Sequence, residues 1–201
     1  MWAASLRYHK DTFYVCFASY DTGKTYIYRT KNINEPWEKR SLDGVYHHPS
    51  LLFDEDGRIY MGYGFNEVRI LELNDTLTAP KEGGFERLLV EEKQDAYISY
   101  EGAHFYKKDG TYYIFVIQWL KGNLTQREQL CLYGDSLDGE FKKEMVFSEN
   151  LGFPMKGVAQ GGIVDTPEGD WYSVMYQEHG AIGKMPVLVP VSLSLIHISE
   201  P

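Results

Sequence analysis

Four side chains of chemically useful types stand at the same distance before four tyrosines. Trp2, His48, Glu101 and Gln160 each precede by twelve residues a Tyr, at positions 14, 60, 113 and 172. An indole stacks on flat apolar faces, an imidazole and an amide form hydrogen bonds, and a carboxyl group can transfer a proton. If the four intervals are copies of one structural unit, we expect these four residues to converge on one site.

Glu101 is the only carboxylate among the four residues, which makes it the candidate for acid catalysis. Gly102 and Ala103 follow it and leave space around it. Burial among Tyr100, Phe105 and Trp2 is expected to raise the pKa of Glu101, which suits a general acid at neutral pH. A hydrogen-bonded structural Glu is the alternative interpretation, and the residues by themselves leave both open.

The elements that must position these residues read as short strands joined by turns. Each interval holds an apolar stretch, a polar turn and a second stretch that begins with an apolar residue and the Tyr. The tyrosines are 46, 53 and 59 residues apart. Repeats near fifty residues with several strands each are typical of β-propeller blades, whose innermost strands line a central channel. The pattern predicts an all-β propeller with four visible blades and at least one further blade before Met1.

Composition narrows the class of partner. The chain has 29 acidic and 20 basic side chains and a formal net charge of −9, with no basic run, which argues against nucleic acid as a partner. No apolar run is long enough to span a membrane, and no secretory signal precedes the first strand. Cys16 and Cys131 form no disulfide framework and are predicted to be buried free thiols. The compartment and the oligomeric state stay open.

Several sequence motifs occur in the order of a known family. They are Trp2–Tyr8 (WAASLRY), His48–Gly57 (HPSLLFDEDG), Glu101–Lys107 (EGAHFYK), Gly161–Thr166 (GGIVDT), Gly183–Pro186 (GKMP) and Leu188–Val191 (LVPV). Over about residues 1–191 the chain resembles glycoside hydrolase family 43, in its β-xylosidase or α-L-arabinofuranosidase branch. The resemblance implies a five-bladed propeller, here truncated to about four blades. Residues 192–201 do not continue the pattern and are predicted to be a non-native tail.

The resemblance implies an oligosaccharide substrate and an inverting hydrolysis of β-xylosidic or α-L-arabinofuranosidic bonds in hemicellulose. In that mechanism a Glu protonates the leaving oxygen, an Asp about 6.5–9.5 Å away activates water, and a third carboxylate tunes the acid. Glu101 matches the general acid, and Trp2 matches an aromatic on which the sugar stacks. Gln160 and Lys184 match positions that donate hydrogen bonds to sugar hydroxyls, although purely structural roles are equally open for both. His104 follows the acid and is expected to orient its neighbours.

Two departures from the family pattern bear on activity. The base Asp belongs to a blade before Met1, so this chain alone is expected to be inactive. The tuning Asp corresponds to His48, and an imidazole does not keep the acid protonated as an anion would. Its neighbour His47 would need a one-residue slip to face the same way. The acidic residues 54–56 lie in a hairpin turn and cannot replace the missing carboxylate.

Other chemistries are weaker on this sequence. No cofactor or metal is expected. His179 is expected near the channel axis, where some relatives hold calcium, but no oxygen-rich ligand set is visible and a structural calcium stays unassigned. The rival function is a non-catalytic carbohydrate-binding or interaction propeller, which His48 and Ala4 favour because relatives commonly carry Pro at the latter position. A third interpretation, in which these residues merely close the hub, predicts no pocket around Glu101.

Overall fold

The computed structural model describes residues 2–91, 96–122, 127–153, 157–192 and 197–198, with the backbone alone for residues 2, 197 and 198. It consists of four antiparallel sheets, each a four-stranded meander in chain order. Blade 1 contains β1 (Trp2–His9), β2 (Thr12–Ser19), β3 (Lys24–Thr30) and β4 (Glu38–Asp43). Blade 2 contains β5 (Ser50–Phe53), β6 (Ile59–Tyr63), β7 (Glu67–Leu73) and β8 (Glu86–Glu91). Blade 3 contains β9 (Ala96–Lys108), β10 (Thr111–Leu120), β11 (Glu128–Gly134) and β12 (Lys142–Phe147). Blade 4 contains β13 (Ala159–Asp165), β14 (Trp171–Glu178), β15 (Lys184–Ser192) and β16 (His197–Ile198).

The prediction of four β-sheet blades is therefore confirmed. Within the described residues the one helical segment is a single 3₁₀ turn, Gly180–Ile182, and no helix is of a length and apolarity that would carry it across a bilayer. The hairpins follow from their turn residues. Lys10 and Asp11 both have positive φ angles, of 46° and 57°, and Asp109 and Gly110 repeat this with 50° and 82°. Positive φ at both central positions is the turn geometry that matches the twist of two antiparallel strands.

Three apolar cores hold neighbouring blades together, one between each successive pair. The Tyr that marks each repeat packs into the core shared with the following blade. Tyr14 lies between blades 1 and 2, Tyr60 between blades 2 and 3, and Tyr113 between blades 3 and 4. Because side chains alternate between the two faces of a strand, the residues two positions from each Tyr face the same core.

The outward faces of blades 1 and 4 carry exposed apolar side chains. On β1, Leu6 and Tyr8 are 58% and 61% exposed and alternate with residues that contact blade 2. On blade 4, Val164, Val174 and Leu188 are exposed on the face that also carries the fourth repeat Tyr. In blades 1 to 3 that face packs against the next blade. Both faces therefore have the character of interfaces that a further blade would cover.

Arg7 joins the inner strands at the hub. Its guanidinium donates to the backbone oxygens of Leu51, at 3.0 Å, and Phe105, at 3.1 Å, and lies 4.2 Å from the ring centroid of Tyr106. The Tyr106 hydroxyl accepts the backbone N–H of Ile163 at 2.9 Å. The side chains of Arg7 and Tyr106 thus link all four blades. This linkage helps to fix the positions of the inner strands relative to one another.

An ion pair between a buried carboxylate and a partly exposed lysine joins blades 2 and 3. Asp54 accepts from the Lys107 ammonium at 2.6 Å and from the Tyr112 hydroxyl at 2.6 Å, and its side chain is fully buried. Asp54 is therefore committed to the interface between the blades and is not a substitute for a carboxylate at position 48.

Cys16 and Cys131 are buried free thiols, as predicted, and burial raises the pKa of each above its ordinary value. In the segment predicted to be a non-native tail, Ser192 ends β15 and pairs with His197 of β16. Residues 193–196 and 199–201 lie outside the described part of the chain. The origin of this segment stays a prediction.

Candidate active site

A cavity of about 360 Å³ lies where the inner strands begin. Four of the side chains predicted from the sequence line it together: His48, Glu101, Gln160 and Lys184. Of the other two predicted residues, His104 does not line this cavity, and the side chain of Trp2 lies outside the described residues. The other residues of the wall are Ala3, Ile98, Ile117, Trp119, Arg127, Tyr176 and Glu178. The catalytic and the binding interpretations both predict a pocket around Glu101. The interpretation in which these residues only close the hub predicts none.

In each blade one residue with a positive φ angle lies at the hub, either within the inner strand or just before it. Ala3, His48, Gly102 and Gln160 have φ angles of 34°, 50°, 74° and 64°. In blades 1, 3 and 4 the ladder register also shifts at this point, which is the signature of a β-bulge. At position 102 a Cβ atom would lie 2.8 Å from the Gln160 Cγ, so the close approach of the two strands requires glycine.

Two imidazoles contact the Glu101 carboxylate. His47 Nε2 lies 2.9 Å from Oε1 and His48 Nε2 lies 3.6 Å from the same oxygen. The two rings stack with centroids 4.3 Å apart and an interplanar angle of 16°. The Tyr20 hydroxyl holds the other side of the first ring, 2.5 Å from His47 Nδ1. The Glu101 side chain is 11% exposed, so these contacts occur in a largely desolvated setting.

The pKa of Glu101 differs from the sequence expectation. Burial does raise it, but the hydrogen bond from His47 and the charges of His48, His47 and Lys184 together lower it, and the net pKa lies below its ordinary value. The expectation of a raised pKa was therefore wrong. The aromatics expected around Glu101 are elsewhere: Tyr100 and Phe105 are fully buried in the core between blades 2 and 3.

His48 is a neutral imidazole across most of the pH range. Burial lowers its pKa to about 4, opposed by the Glu101 charge and assisted by His47 and Lys184. It therefore does not provide the negative charge that the family pattern places here, nor a positive charge at neutral pH. It can contribute only hydrogen bonds.

A second network forms the far wall of the cavity. Gln160 Nε2 lies 3.1 Å from His48 Nδ1, and the Tyr176 hydroxyl lies 2.5 Å from Gln160 Oε1. Arg127 and Lys184 both donate to the Tyr176 hydroxyl, at 2.9 and 3.3 Å. The wall thus contains two cations, an amide and a phenol, which are donors that suit a polyhydroxylated ligand.

The remaining wall is apolar. It is formed by Ile98, Ile117 and Trp119, on an extension of β9 and β10 beyond the point where Glu101 pairs with Ile117. The Tyr97 ring lies 5.4 Å from that of Trp119, and Tyr97 is half exposed. An aromatic wall opposite polar donors is the combination on which a sugar ring can stack.

His104 lies behind the cavity wall instead of facing the cavity. Burial, and then the charges of Arg7 and His48, lower its pKa to about 3. It lines a much smaller space that His48 and Gln160 also border. The structure therefore places His104 beneath the site, where contact with the side chains above it is possible and contact with a ligand in the larger cavity is not.

Several residues of the site were not predicted from the sequence. His47 reaches Glu101 because it lies in the loop before β5, next to a left-handed residue, where strand alternation does not apply. Tyr176 could have been found from the β13–β14 hairpin, since it pairs with the residue before Gln160. Arg127 and Trp119 could not have been predicted, because neither occupies an equivalent position in the twelve-residue repeat.

One group in the described residues has the atoms for a metal site. A ring nitrogen from His47, one from His48 and a carboxylate oxygen from Glu101 lie within 4.8 Å of one another. The stacked, nearly parallel rings direct their nitrogens side by side instead of toward one point, which does not suit a tetrahedral ion. His179 stacks on Phe153 and belongs to no such group in the described chain. The expectation of no cofactor stays a prediction.

The fold and the cavity define a β-propeller protein with a buried carboxylate at a polar, partly aromatic hub. The family model for glycosyl hydrolases family 43 matches residues 1–192. The chain therefore belongs to glycosyl hydrolases family 43.

Individual relatives agree with this assignment. The chain is 27% identical to a putative beta-xylosidase of Xylanibacter ruminicola, over 94% of this chain and 35% of that protein. It is 26% identical to a xylosidase/arabinosidase of Butyrivibrio fibrisolvens, over 92% and 39%. Among solved structures, the bifunctional GH43-CE protein of Bacteroides eggerthii superposes with a TM-score of 0.85 at 38% identity, over 95% of this chain and 24% of that one. The chain spans about a third of the length of the curated relatives it matches.

Proposed function

We propose that the protein to which these four blades belong is an inverting glycoside hydrolase acting on xylosidic or arabinofuranosidic bonds of hemicellulose oligosaccharides. The observation that carries the proposal is the position of Glu101, on the wall of the hub cavity, within a chain that matches the family along residues 1–192. The names of the relatives support the substrate class.

In this proposal Glu101 is the general acid. One of its oxygens, Oε1, lies 2.9 Å from His47 Nε2, so the proton that the leaving oxygen receives resides on Oε2. Gln160, Lys184 and Arg127 donate to the sugar hydroxyls, and Trp119 offers a stacking surface. Glu178, the other carboxylate that lines the cavity in the described chain, is paired with Arg127 at 3.3 Å.

The general base comes from a further blade in this account. The uncovered apolar faces of blades 1 and 4 support such a blade, because the matching faces of the other blades are interfaces. Among the described residues, the cavity holds no carboxylate besides Glu101 and the Arg127-paired Glu178, so we expect that the four blades alone do not hydrolyse glycosides. The inverting mechanism then requires a separation of about 6.5–9.5 Å between the two carboxyl groups.

The test uses the complete protein, including the sequence encoded upstream of Met1. We expect hydrolysis of aryl β-xylosides or aryl α-L-arabinofuranosides, with a product whose first anomeric NMR signal is inverted relative to the substrate. Glu101→Gln is expected to lower kcat by about 10²- to 10⁴-fold. Glu86→Gln, at an exposed position on β8, is the matched control and should retain activity.

A non-catalytic carbohydrate-binding propeller is the second candidate. Its support is the hydrogen bonding at Glu101, which favours the carboxylate over the protonated acid. Calorimetric titration with xylo- and arabino-oligosaccharides separates the two. Binding without turnover in the complete protein would establish the second candidate, and turnover that depends on Glu101 would establish the first.

A further inference from the structure

The hydrogen bonds that lead away from His48 form a chain. The donor and acceptor of each bond can be assigned by starting at the end farthest from His48. The chain runs from Arg127 and Lys184 through the Tyr176 hydroxyl to Gln160 and then to His48 Nδ1. Each member has a fixed number of protons to donate, so the roles at one end determine the roles at the other.

The Tyr176 hydroxyl has three hydrogen-bonding partners. Arg127 and Lys184 carry donors and no acceptor, so the phenol oxygen must accept from both of them. Its single proton is then directed at its third partner, Gln160 Oε1 at 2.5 Å. Arg127 is itself held in place by its ion pair with Glu178, at 3.3 Å.

The orientation of the Gln160 side-chain amide follows from the role of Tyr176. Because Gln160 Oε1 accepts from Tyr176, the amide nitrogen faces the imidazole, 3.1 Å from His48 Nδ1. An amide nitrogen only donates, so Nδ1 must carry a lone pair. The backbone of Gln160 is fixed as well, because its N–H donates to the fully buried Gln129 side chain at 2.8 Å.

We propose that Tyr176 is a positioning residue that, through Gln160, locks neutral His48 in the tautomer with its proton on Nε2, directed at Glu101. The Nε2–H dipole of His48 then points toward the candidate catalytic carboxylate, whose Oε1 lies 3.6 Å away, just beyond hydrogen-bond distance. It takes the place of an anion and acts in the opposite sense, because the positive end of that dipole stabilises the ionised form of Glu101. The inference describes this chain itself and holds whether or not the complete protein hydrolyses glycosides.

Among the described residues, the charged and titratable groups that face Glu101 all affect its ionisation. His47 and His48 approach from the loop before β5, and Lys184 approaches from β15. Arg127 and Glu178 stand across the cavity as an ion pair. Of these groups, His48 is the one whose proton position depends on Tyr176.

The test is NMR of the full 201-residue chain labelled with ¹⁵N at histidine. Long-range ¹H–¹⁵N correlation at neutral pH distinguishes a protonated ring nitrogen from one with a lone pair, and His48→Asn identifies the His48 signals among the six histidines. We expect the proton on Nε2 in the wild-type chain. A proton on Nδ1 would overturn the proposal without any further variant.

Two variants make the role of the relay measurable. Tyr176→Phe removes the phenol, so we expect a mixture of His48 tautomers and a rise of about half a pH unit in the ionisation midpoint of Glu101. Tyr172→Phe, on the same face of β14, is the matched control and should change neither quantity. Gln160→Glu replaces the donor by an acceptor, so the proton should move to Nδ1.

The outcomes separate this proposal from the proposed function. If Gln160→Glu leaves the proton on Nε2, or if Tyr176→Phe behaves as Tyr172→Phe does, the relay does not set the tautomer and the proposal fails. Neither result depends on substrate, on turnover or on a further blade. Conversely, a complete protein that lacks activity but shows the Nε2 tautomer would refute the proposed hydrolase and leave the relay intact.

Discussion

Replacing His48 by Asp should restore the electrostatics that the family pattern implies. His48 Nε2 lies 3.6 Å from Glu101 Oε1, and an Asp carboxylate is shorter than the imidazole, which places it about 5–6 Å away. At an effective dielectric constant of about 20, two charges at that separation repel by about 3 kcal/mol, which corresponds to about two pH units. Loss of the imidazole, whose electrostatic effect lowers the pKa of Glu101, acts in the same direction. The pKa of Glu101 should therefore rise by about two units.

Two assays read this change. In the complete protein, kcat/KM falls on the alkaline side when the general acid loses its proton, so His48→Asp should move that limb of the profile upward by about two pH units. In the four-blade chain, ¹³C NMR of the Glu101 carboxyl group reports the same midpoint directly. His9→Asp, in which the replaced ring stacks on Phe53 near the β1–β2 turn, is the matched control and should leave the midpoint unchanged.

A midpoint that stays where it was, or that falls, would refute the reasoning. It would mean that the position-48 side chain is not electrostatically coupled to Glu101 despite their separation. A rise in the midpoint of Glu101 without a shift of the activity profile would mean instead that Glu101 is not the group that limits turnover.

Two further predictions concern stability. Asp54→Asn should lower the free energy of unfolding by about 1–3 kcal/mol in urea denaturation, because it removes the charge from a fully buried side chain that accepts from Lys107 and Tyr112. Combining it with Lys107→Met should recover part of that loss. An unaltered midpoint in the single variant would show that the pair is not coupled to folding. Folded His48 has a pKa of about 4 and an unfolded reference of 6.5, so the folded state is fully stabilised above about pH 6.5 and loses about 3 kcal/mol as the pH falls to about 4. His104, with a pKa of about 3, adds to this loss of stability over the same pH range and below it. His104→Gln should therefore flatten the pH dependence of the melting temperature. An equally steep dependence in that variant would contradict the account.

The repeat pattern predicted the blades because their period is set locally. Strand alternation and turn chemistry place one Tyr at the same point of each hairpin, and Tyr14, Tyr60 and Tyr113 duly occupy equivalent positions in successive cores. The pattern also predicted that His48 and Glu101 share one cavity, since both lie twelve residues before the repeat Tyr of their blade.

The pattern could not place the bulges or the second imidazole. The left-handed residue lies twelve positions before the Tyr at His48 and Gln160, but eleven before it at Ala3 and Gly102. That offset depends on how neighbouring strands pack, as the close approach of Gly102 to Gln160 illustrates. It also explains why His47 reaches Glu101, although alternation predicted that it would face away.

The pKa of Glu101 was misjudged for the same reason. Burial alone was visible in the sequence, as a carboxyl group within an apolar and aromatic stretch. The hydrogen bond from His47 comes from a residue 54 positions earlier in the chain, and only the closed hub brings the two together. Long-range contacts of this kind decide whether burial or a charged neighbour dominates the pKa of a buried group.

The central claim is that Glu101 delivers a proton to the departing oxygen, and the dependence of rate on the leaving group tests it most directly. In the complete protein, Glu101→Gln should slow cleavage of an alkyl or sugar leaving group by about 10²- to 10⁴-fold and slow a dinitrophenyl glycoside far less, because an acidic phenol departs without protonation. An equal loss on both substrates, or no loss on either, would contradict the assignment of Glu101 as the general acid.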